Sequence, residues 1–340
     1  MIIDCHVHML PQPLNTRYLT HLATTHDMRF GPAYLWNDPA FESLEQQQQA
    51  LAAYHIDRAL ITYSANMPLI LRVSANHFRN LDEEITWVNE QMAIVAEKSG
   101  GQIQPLAYID PTCAGAPAAV THAVQDLHMP AVTTLTDYMV EGKRVYLDDP
   151  ALRPFWKKVN QLRVSVFIHF ASNVALRETG TPTTGFMSGE QIKAGLGQLV
   201  EDTLALLRIV FSGVLAEFPH VRIVLGQLGG VLPFILTRQE MLYQMYANGL
   251  PANQRPVPLY RLADYLPQIY VDTHSMSAAE ITLAVQMLGA DHVVFGSDYP
   301  ITPARFGRGN ELAAIQTLDS DVQNQIRYQT VMDLLPMLKK

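Results

Sequence analysis

Residues 149–169 read DPALRPFWKKVNQLRVSVFIH. Asp149–Leu162 has a helical pattern, and the apolar run Val164–His169 that follows it ends in a histidine. The run does not alternate with polar residues, as expected of a parallel strand buried on both faces. The same helix-then-strand unit recurs on either side. Toward the N-terminus the strand candidates are Ile2–Cys5, Asp57–Tyr63 after helix Ser43–Tyr54, Gln104–Ile109 after Leu81–Lys98, and Ala131–Leu135 after Ala116–Leu127. Toward the C-terminus they are Val221–Leu225 after Leu199–Phe218, Ile269–Thr273, and His292–Ser297 after Ala278–Gly289. Eight strands separated by helices predict an α/β chain folded as a (β/α)8 TIM-like barrel. A doubly wound sheet is the competitor, but its Gly-rich fingerprint is missing after the first strand, which runs into HVH.

The chain has 340 residues and a net charge of −8. Hydrophobic residues make up 48% and charged residues 16%. That composition can bury a large core and argues against disorder. Without a basic surplus there is nothing to neutralise phosphates, so a nucleic-acid partner is not expected. Cys5 and Cys113 are the two cysteines, too far apart for a disulfide framework or a CxxC metal site. The N-terminus does not read as a signal peptide and no run is long enough for a membrane span, so a cytoplasmic protein without membrane contact is expected. A single barrel domain over 1–340 is expected, with long loops at 9–41, 67–80 and 171–190. Those loops follow the first, second and fifth strands and would lie on the C-terminal face, where barrel active sites are built.

Histidine is the informative residue type. His6 and His8 are two apart on a strand, so their rings share a side. Cys5 between them is expected to point the other way, toward the helices. His169 ends the fifth strand and Asp298 ends the eighth, in FGSDYP. In a closed barrel the eighth strand neighbours the first, so three imidazoles and a carboxylate can converge on one cation.

Four segments carry a family resemblance: IIDCHVH at 2–8, LDDPALRPFWKKVNQLRVSVFIH at 147–169, LRIVFSGVLAEFPHVRIVLGQLGGVLPF at 207–234, and YVDTHS with VVFGSDYP within 270–300. With these the chain resembles the amidohydrolase superfamily, in the amidohydrolase-related group of aminocarboxymuconate-semialdehyde decarboxylase, γ-resorcylate-type decarboxylases and 4-oxalomesaconate hydratase. The resemblance spans nearly the whole chain. It implies a barrel of the metal-dependent hydrolase type, with His6, His8, His169 and Asp298 as metal ligands. Binuclear members hold a carbamylated lysine at the end of strand 4. Here that stretch is TTLTDY, 133–138, so one divalent metal is expected. Zinc suits the imidazole-rich set best, with manganese or iron as alternatives.

The chain departs from the group at one position. The group's strand-6 histidine, taken to serve proton transfer, is replaced by Gln227 in GQLGG. Glutamine can hydrogen-bond but cannot act as a general base near neutral pH. Proton transfer then falls to Asp298 with the metal-bound water, or to His274 in VDTHS. Arg238 is a candidate contact for a substrate carboxylate, and Trp36 with Tyr34 a candidate cover for a planar substrate. Tyr138 and Asn173 are weaker candidates. The leading expectation is a carboxy-lyase, a non-oxidative decarboxylase of a small unsaturated or aromatic carboxylic acid. The alternatives are a hydrolase of a lactone, amide or C–C bond, a hydratase, or a non-catalytic subunit paired with an active relative. A homodimer is expected.

Overall fold

The computed structural model describes residues 1–12, 14–25, 37–63, 67–74, 78–171, 192–255, 257–303 and 307–339. Its strands are β1 (Ile3–His8), β2 (Arg58–Thr62), β3 (Ile103–Pro105), β4 (Ala107–Tyr108), β5 (Val132–Leu135), β6 (Asp137–Val140), β7 (Lys143–Tyr146), β8 (Ser165–His169), β9 (Arg222–Leu225), β10 (Ile269–Asp272) and β11 (Val293–Val294). The parallel strands run in the order β1-β2-β3 and then β4-β5-β8-β9-β10-β11. β3 and β4 form one barrel position split at Leu106, whose N–H bonds Ile61 O while Ala107 N–H turns to Ala131 O. Strand β1 meets the segment after β11 through Cys5 N–H to Phe295 O (2.8 Å), Asp298 N–H to His6 O (2.8 Å) and His8 N–H to Tyr299 O (2.7 Å). These bonds join the two ends of the strand order, in keeping with the eight-unit α/β barrel expected from the sequence.

Side-chain alternation sorts the apolar residues into two cores. Ile223, Leu225, Ile269, Val271 and Val293 face outward into the main cluster against the helices. Leu60, Leu106, Ala131, Phe167, Val224 and Val294 face inward, one from each of six barrel positions. Val331, Leu334 and Leu338 of the C-terminal segment join this inner cluster. Arg58 Nη1–H bonds Leu338 O (2.6 Å) and holds that segment across the end where the strands begin.

Strand β1 breaks the alternation. Its register on β2 steps from Asp4↔Ala59 to Val7↔Ile61, so two residues, Cys5 and His6, stand opposite Leu60. Such a bulge turns both residues to one side. Cys5 therefore lies in the inner cluster with Leu60 and Phe167, not toward the helices as strict alternation predicts.

Other differences are local. The stretch 67–80, expected as loop, contains helix Met67–Ser74, and 9–41 contains helix Leu14–Thr25. Residues 172–190 of the third expected loop lie outside the described residues. The helix expected over Leu199–Phe218 is two helices, Gln198–Phe211 and Val214–Glu217. They part at Gly213, whose φ of +82° ends the first. The hairpin β6–β7 was not expected. Its two-residue turn, Glu141–Gly142, has φ of +49° and +78°, the backbone of a primed hairpin turn. No helix among the described residues is long and apolar enough to cross a membrane.

Candidate metal centre

His6, His8, His169 and Asp298 come together at the mouth formed by the strands' C-terminal ends. Their ligand atoms all lie within 4.8 Å of one another. The three imidazoles form a nearly equilateral triangle, with ring centroids 5.1, 5.2 and 5.4 Å apart. Asp298 Oδ1 lies 2.9 Å from His8 Nε2 and 3.7 Å from His6 Nε2. Its other oxygen accepts Thr302 Oγ1–H at 2.8 Å.

Each ring is held from behind. His6 Nδ1 is 2.6 Å from Asp272 Oδ2, His8 Nδ1 is 3.3 Å from Thr62 O, and His169 Nδ1 is 2.8 Å from Phe170 O. A carbonyl or carboxylate oxygen there requires the proton on Nδ1, which leaves the Nε2 lone pairs pointing inward. The Nε2 atoms of His6 and His169 are buried and have no hydrogen-bond partner among the described residues. Buried polar nitrogens are rarely left unpaired, and a divalent cation would satisfy them. The donor set therefore fits a metal.

The electrostatics agree. Burial, with neighbouring His274 and His8, pushes His6 below the ordinary imidazole range. Burial pushes His169 further down, with help from His6 and His8. Both are thus held neutral, as ligands must be. Burial alone would raise Asp298, but the imidazoles of His8, His274 and His6 around it hold it well below the usual carboxylate range.

Two close approaches build the mouth. A Cβ at Gly296 would lie 2.8 Å from His6 Cβ and 3.0 Å from Asp272 Cβ, and one at Gly226 would lie 2.9 Å from His274 Cε1. Asp298 itself has φ +58°, a conformation Asp tolerates better than most side chains do. Behind the wall, Asp4 Oδ1 accepts His6 N–H (3.3 Å) and Ser297 N–H (3.1 Å), while Oδ2 accepts Ser297 Oγ–H (2.5 Å) and Arg308 Nε–H (2.9 Å). Asp4 thus ties the strand that carries His6 to the turn that carries Asp298.

His274 is buried, not a solvated loop residue. Its ring lies 4.3 Å from that of His6, tilted by 60°, and its Nδ1 bonds Asp272 Oδ1 at 2.8 Å. Burial opposes its charge, but the Asp272 carboxylate outweighs that and raises its pKa. Asp272 is in turn held well below the carboxylate range by His274 and His6, against its burial. His6, Asp272 and His274 could also be drawn as a second cation site. The two short imidazole–carboxylate hydrogen bonds already occupy those atoms.

Gln227 is buried at the end of β9 with φ +52°; its N–H bonds Asp272 Oδ1 at 2.9 Å. Its Nε2–H donates to Gln198 Oε1 at 2.9 Å, and its Oε1 is buried without a partner among the described residues. Arg238 is exposed on helix Leu232–Asn248 and is not among the groups gathered at the mouth. Tyr138 is buried, its hydroxyl within hydrogen-bond reach of Thr134 Oγ1, Leu135 N and Ile109 O. Trp36, Tyr34 and Asn173 lie outside the described residues. Beside His169, which pairs with Leu135 across the strands, a cleft of about 530 Å³ is lined by Leu71, Arg72, Phe78, Leu135, Tyr138 and Ala171 among others.

Asp272 is a site residue that no motif in the sequence singles out. It lies two residues before His274 in VDTHS, at the inward parity of its strand, and that pairing was the available signal.

A family model described as amidohydrolase matches residues 3–336. The chain is 25% identical over 352 residues to a 6-methylsalicylic acid decarboxylase of Aspergillus aculeatus, covering 100% of this chain and 97% of that one. Its fold matches the IDCase of Metarhizium anisopliae with a TM-score of 0.76 at 22% identity, over 100% and 98% of the two chains. It also matches 5-carboxyvanillate decarboxylase of Novosphingobium aromaticivorans, a structure with bound manganese, with a TM-score of 0.75 at 17% identity over 99% and 97%.

Proposed function

This chain belongs to the amidohydrolase family, and on that premise we propose that it is a metal-dependent, non-oxidative decarboxylase of a small aromatic carboxylic acid. The observation that carries the reading is the inward-facing Nε2 pair of His6 and His169 beside Asp298, unpartnered among the described residues, in a chain one of whose relatives over its full length is a decarboxylase of a hydroxybenzoic acid. His6, His8, His169 and Asp298 hold one divalent ion. Zinc suits three imidazoles and a carboxylate, and the manganese of a structural neighbour keeps that ion in the panel. When bound, the cation supplies positive charge that fixes the substrate carboxylate and stabilises charge developing as carbon dioxide leaves.

In the reaction the ring–carboxylate C–C bond breaks, its electron pair stays on the ring carbon, and that carbon takes a proton. His274, raised by Asp272, holds a proton for this step. Asp298, kept ionised, serves as ligand and orients the reacting group. Gln227 Oε1 accepts a hydrogen bond from a substrate hydroxyl, in place of a histidine. Leu71, Phe78 and Leu135 of the adjoining cleft make an apolar bed for the ring. Helix Leu232–Asn248 bares Phe234 (82% exposed), Met241, Met245 and Tyr246, which supports a homodimer through this face.

The test is carbon dioxide release from 6-methylsalicylate, 5-carboxyvanillate, other hydroxybenzoates and muconates, with zinc or manganese supplied. Release from at least one aromatic acid, abolished by chelator, is expected. Acid production from lactones without gas would replace the reading with a hydrolase. Inactivity with metal bound would favour a non-catalytic subunit.

A further inference from the structure

Asp272 is buried, and its single carboxylate meets four donors. Oδ1 accepts Gln227 N–H at 2.9 Å, His274 N–H at 3.2 Å and His274 Nδ1–H at 2.8 Å. Among the described residues Oδ2 meets His6 Nδ1 alone, at 2.6 Å. The two oxygens are therefore not equivalent. Two of the three groups on Oδ1 are backbone N–H groups, which can only donate.

We infer that Asp272 is a positioning residue that locks the tautomer of His6, keeping the ring proton on Nδ1 and the Nε2 lone pair free toward His8, His169 and Asp298. The inference rests on the metal-site reading above for its consequence, but the lock itself is a property of the metal-free chain.

The asymmetry gives an unusual order of variants. In Asp272→Asn the backbone donors fix the amide oxygen on the Oδ1 side, so the NH2 group faces His6 Nδ1. That nitrogen must then accept, and the ring proton moves to Nε2, the atom that has to ligate. In Asp272→Ala the lock is gone, but nothing enforces the wrong tautomer, and a neutral imidazole can still present its Nε2 lone pair. The isosteric substitution is thus the more damaging one. A carboxylate that served only packing would give the reverse order.

Two measurements decide this on the full chain. The first is Zn²⁺ affinity by chelator competition for wild type, Asp272→Ala and Asp272→Asn. Asp272→Ala should bind about 10-fold more weakly, the low end for loss of a group that orients a ligand. Asp272→Asn should lose about another 10-fold, reaching roughly 100-fold below wild type, the upper end of that range. The second is the long-range ¹H–¹⁵N imidazole spectrum of metal-free protein at a pH where the rings are neutral. Wild type should carry the His6 proton on Nδ1, and Asp272→Asn should carry it on Nε2. If Asp272→Asn binds Zn²⁺ as well as Asp272→Ala, or if wild-type His6 is protonated on Nε2, the lock is refuted. Failure of wild type to bind Zn²⁺ with His6 protonated on Nδ1 would overturn the metal-site reading and leave the lock standing. Should Asp272→Asn not fold, the wild-type spectrum and the Asp272→Ala affinity still decide.

Discussion

The same strands build two unlike layers inside the barrel. The lower layer, with Cys5, Leu60, Phe167, Val224 and Val294 under the C-terminal segment, is apolar and buried. The upper layer, one strand step further on, holds His6, His8, His169, Asp272 and Asp298. It is buried yet leaves two imidazole nitrogens unpaired among the described residues, and Gln227 and Asp298 at its rim have left-handed backbones. Unpaired buried polar atoms and strained residues persist where function uses them. The contrast therefore assigns stability to the lower layer and chemistry to the upper one.

The largest expected effect lies in the lower layer. Phe167→Ala should cost about 3–5 kcal/mol of stability, while the folded fraction binds metal with unchanged affinity. Denaturant unfolding of metal-free protein, paired with metal titration, checks both halves. A large fall in metal affinity per folded molecule would erase the separation of layers.

Asp298→Asn should act in the opposite sense. It keeps an oxygen for the cation and the Thr302 contact, so metal is largely retained and stability changes little. Turnover should fall by at least ~10²-fold, the scale at which positioned charged groups act in the transition state. Near-normal turnover would remove Asp298 from the chemistry.

Gln227→Ala should have a smaller effect, ~5–10²-fold in turnover, the scale of about 1–3 kcal/mol for leaving a buried hydrogen-bond partner unsatisfied. Its pH profile should keep its limbs, since no ionisable group is removed. Gln227→His sharpens the comparison. A gain in activity, or a new limb between about pH 5 and 8, would mean the site runs its group's usual proton transfer without the usual residue. A loss would mean that the glutamine oxygen binds substrate.

The smallest effect is the pH dependence of metal-free stability. His6 and His169 are held below the ordinary imidazole range, so below about pH 6.5 the unfolded chain takes up protons the folded chain refuses. Their contribution is full above that pH and declines as pH falls. His274, raised by Asp272, runs the other way: its contribution is present below about pH 6.5 and is lost as pH rises through its folded value. The buried carboxyls of Asp137, Asp202 and Glu311, pushed up by burial, run the same way as His274, so the imidazole contribution is read as a difference between variants and not from the overall slope. Between pH 8 and 5 the Tm of His169→Leu should lose less on acidification, or gain more, than wild type, because one of the two depressed imidazoles is gone. An unchanged slope would place the His169 titration elsewhere.

Much of this was legible in the sequence, for identifiable reasons. Eight apolar runs with helices between them leave few arrangements that bury every strand on both faces. Ligand-type residues at the ends of three of those runs then share one mouth. What was not legible depended on single-residue geometry. The bulge at Cys5–His6 is a register shift that no side-chain pattern marks, so strict alternation puts Cys5 on the wrong side. The Glu141–Gly142 turn lacks the Asn-Gly or Asp-Gly signal of a tight hairpin, and β6–β7 passed unnoticed. Asp272 was overlooked because its role is toward other side chains. A carboxylate at a strand end shows its residue type in the sequence, but its partners only in the fold.

The central claim is that the upper layer holds one divalent cation through His6, His8, His169 and Asp298. The most direct measurement is metal content by elemental analysis after saturation with zinc or manganese and removal of excess, for wild type beside His169→Ala. The account predicts close to one equivalent per chain in wild type and a steep loss of affinity in His169→Ala, with the fold intact by circular dichroism. No metal in wild type, two equivalents, or one equivalent held as tightly without His169 would contradict it.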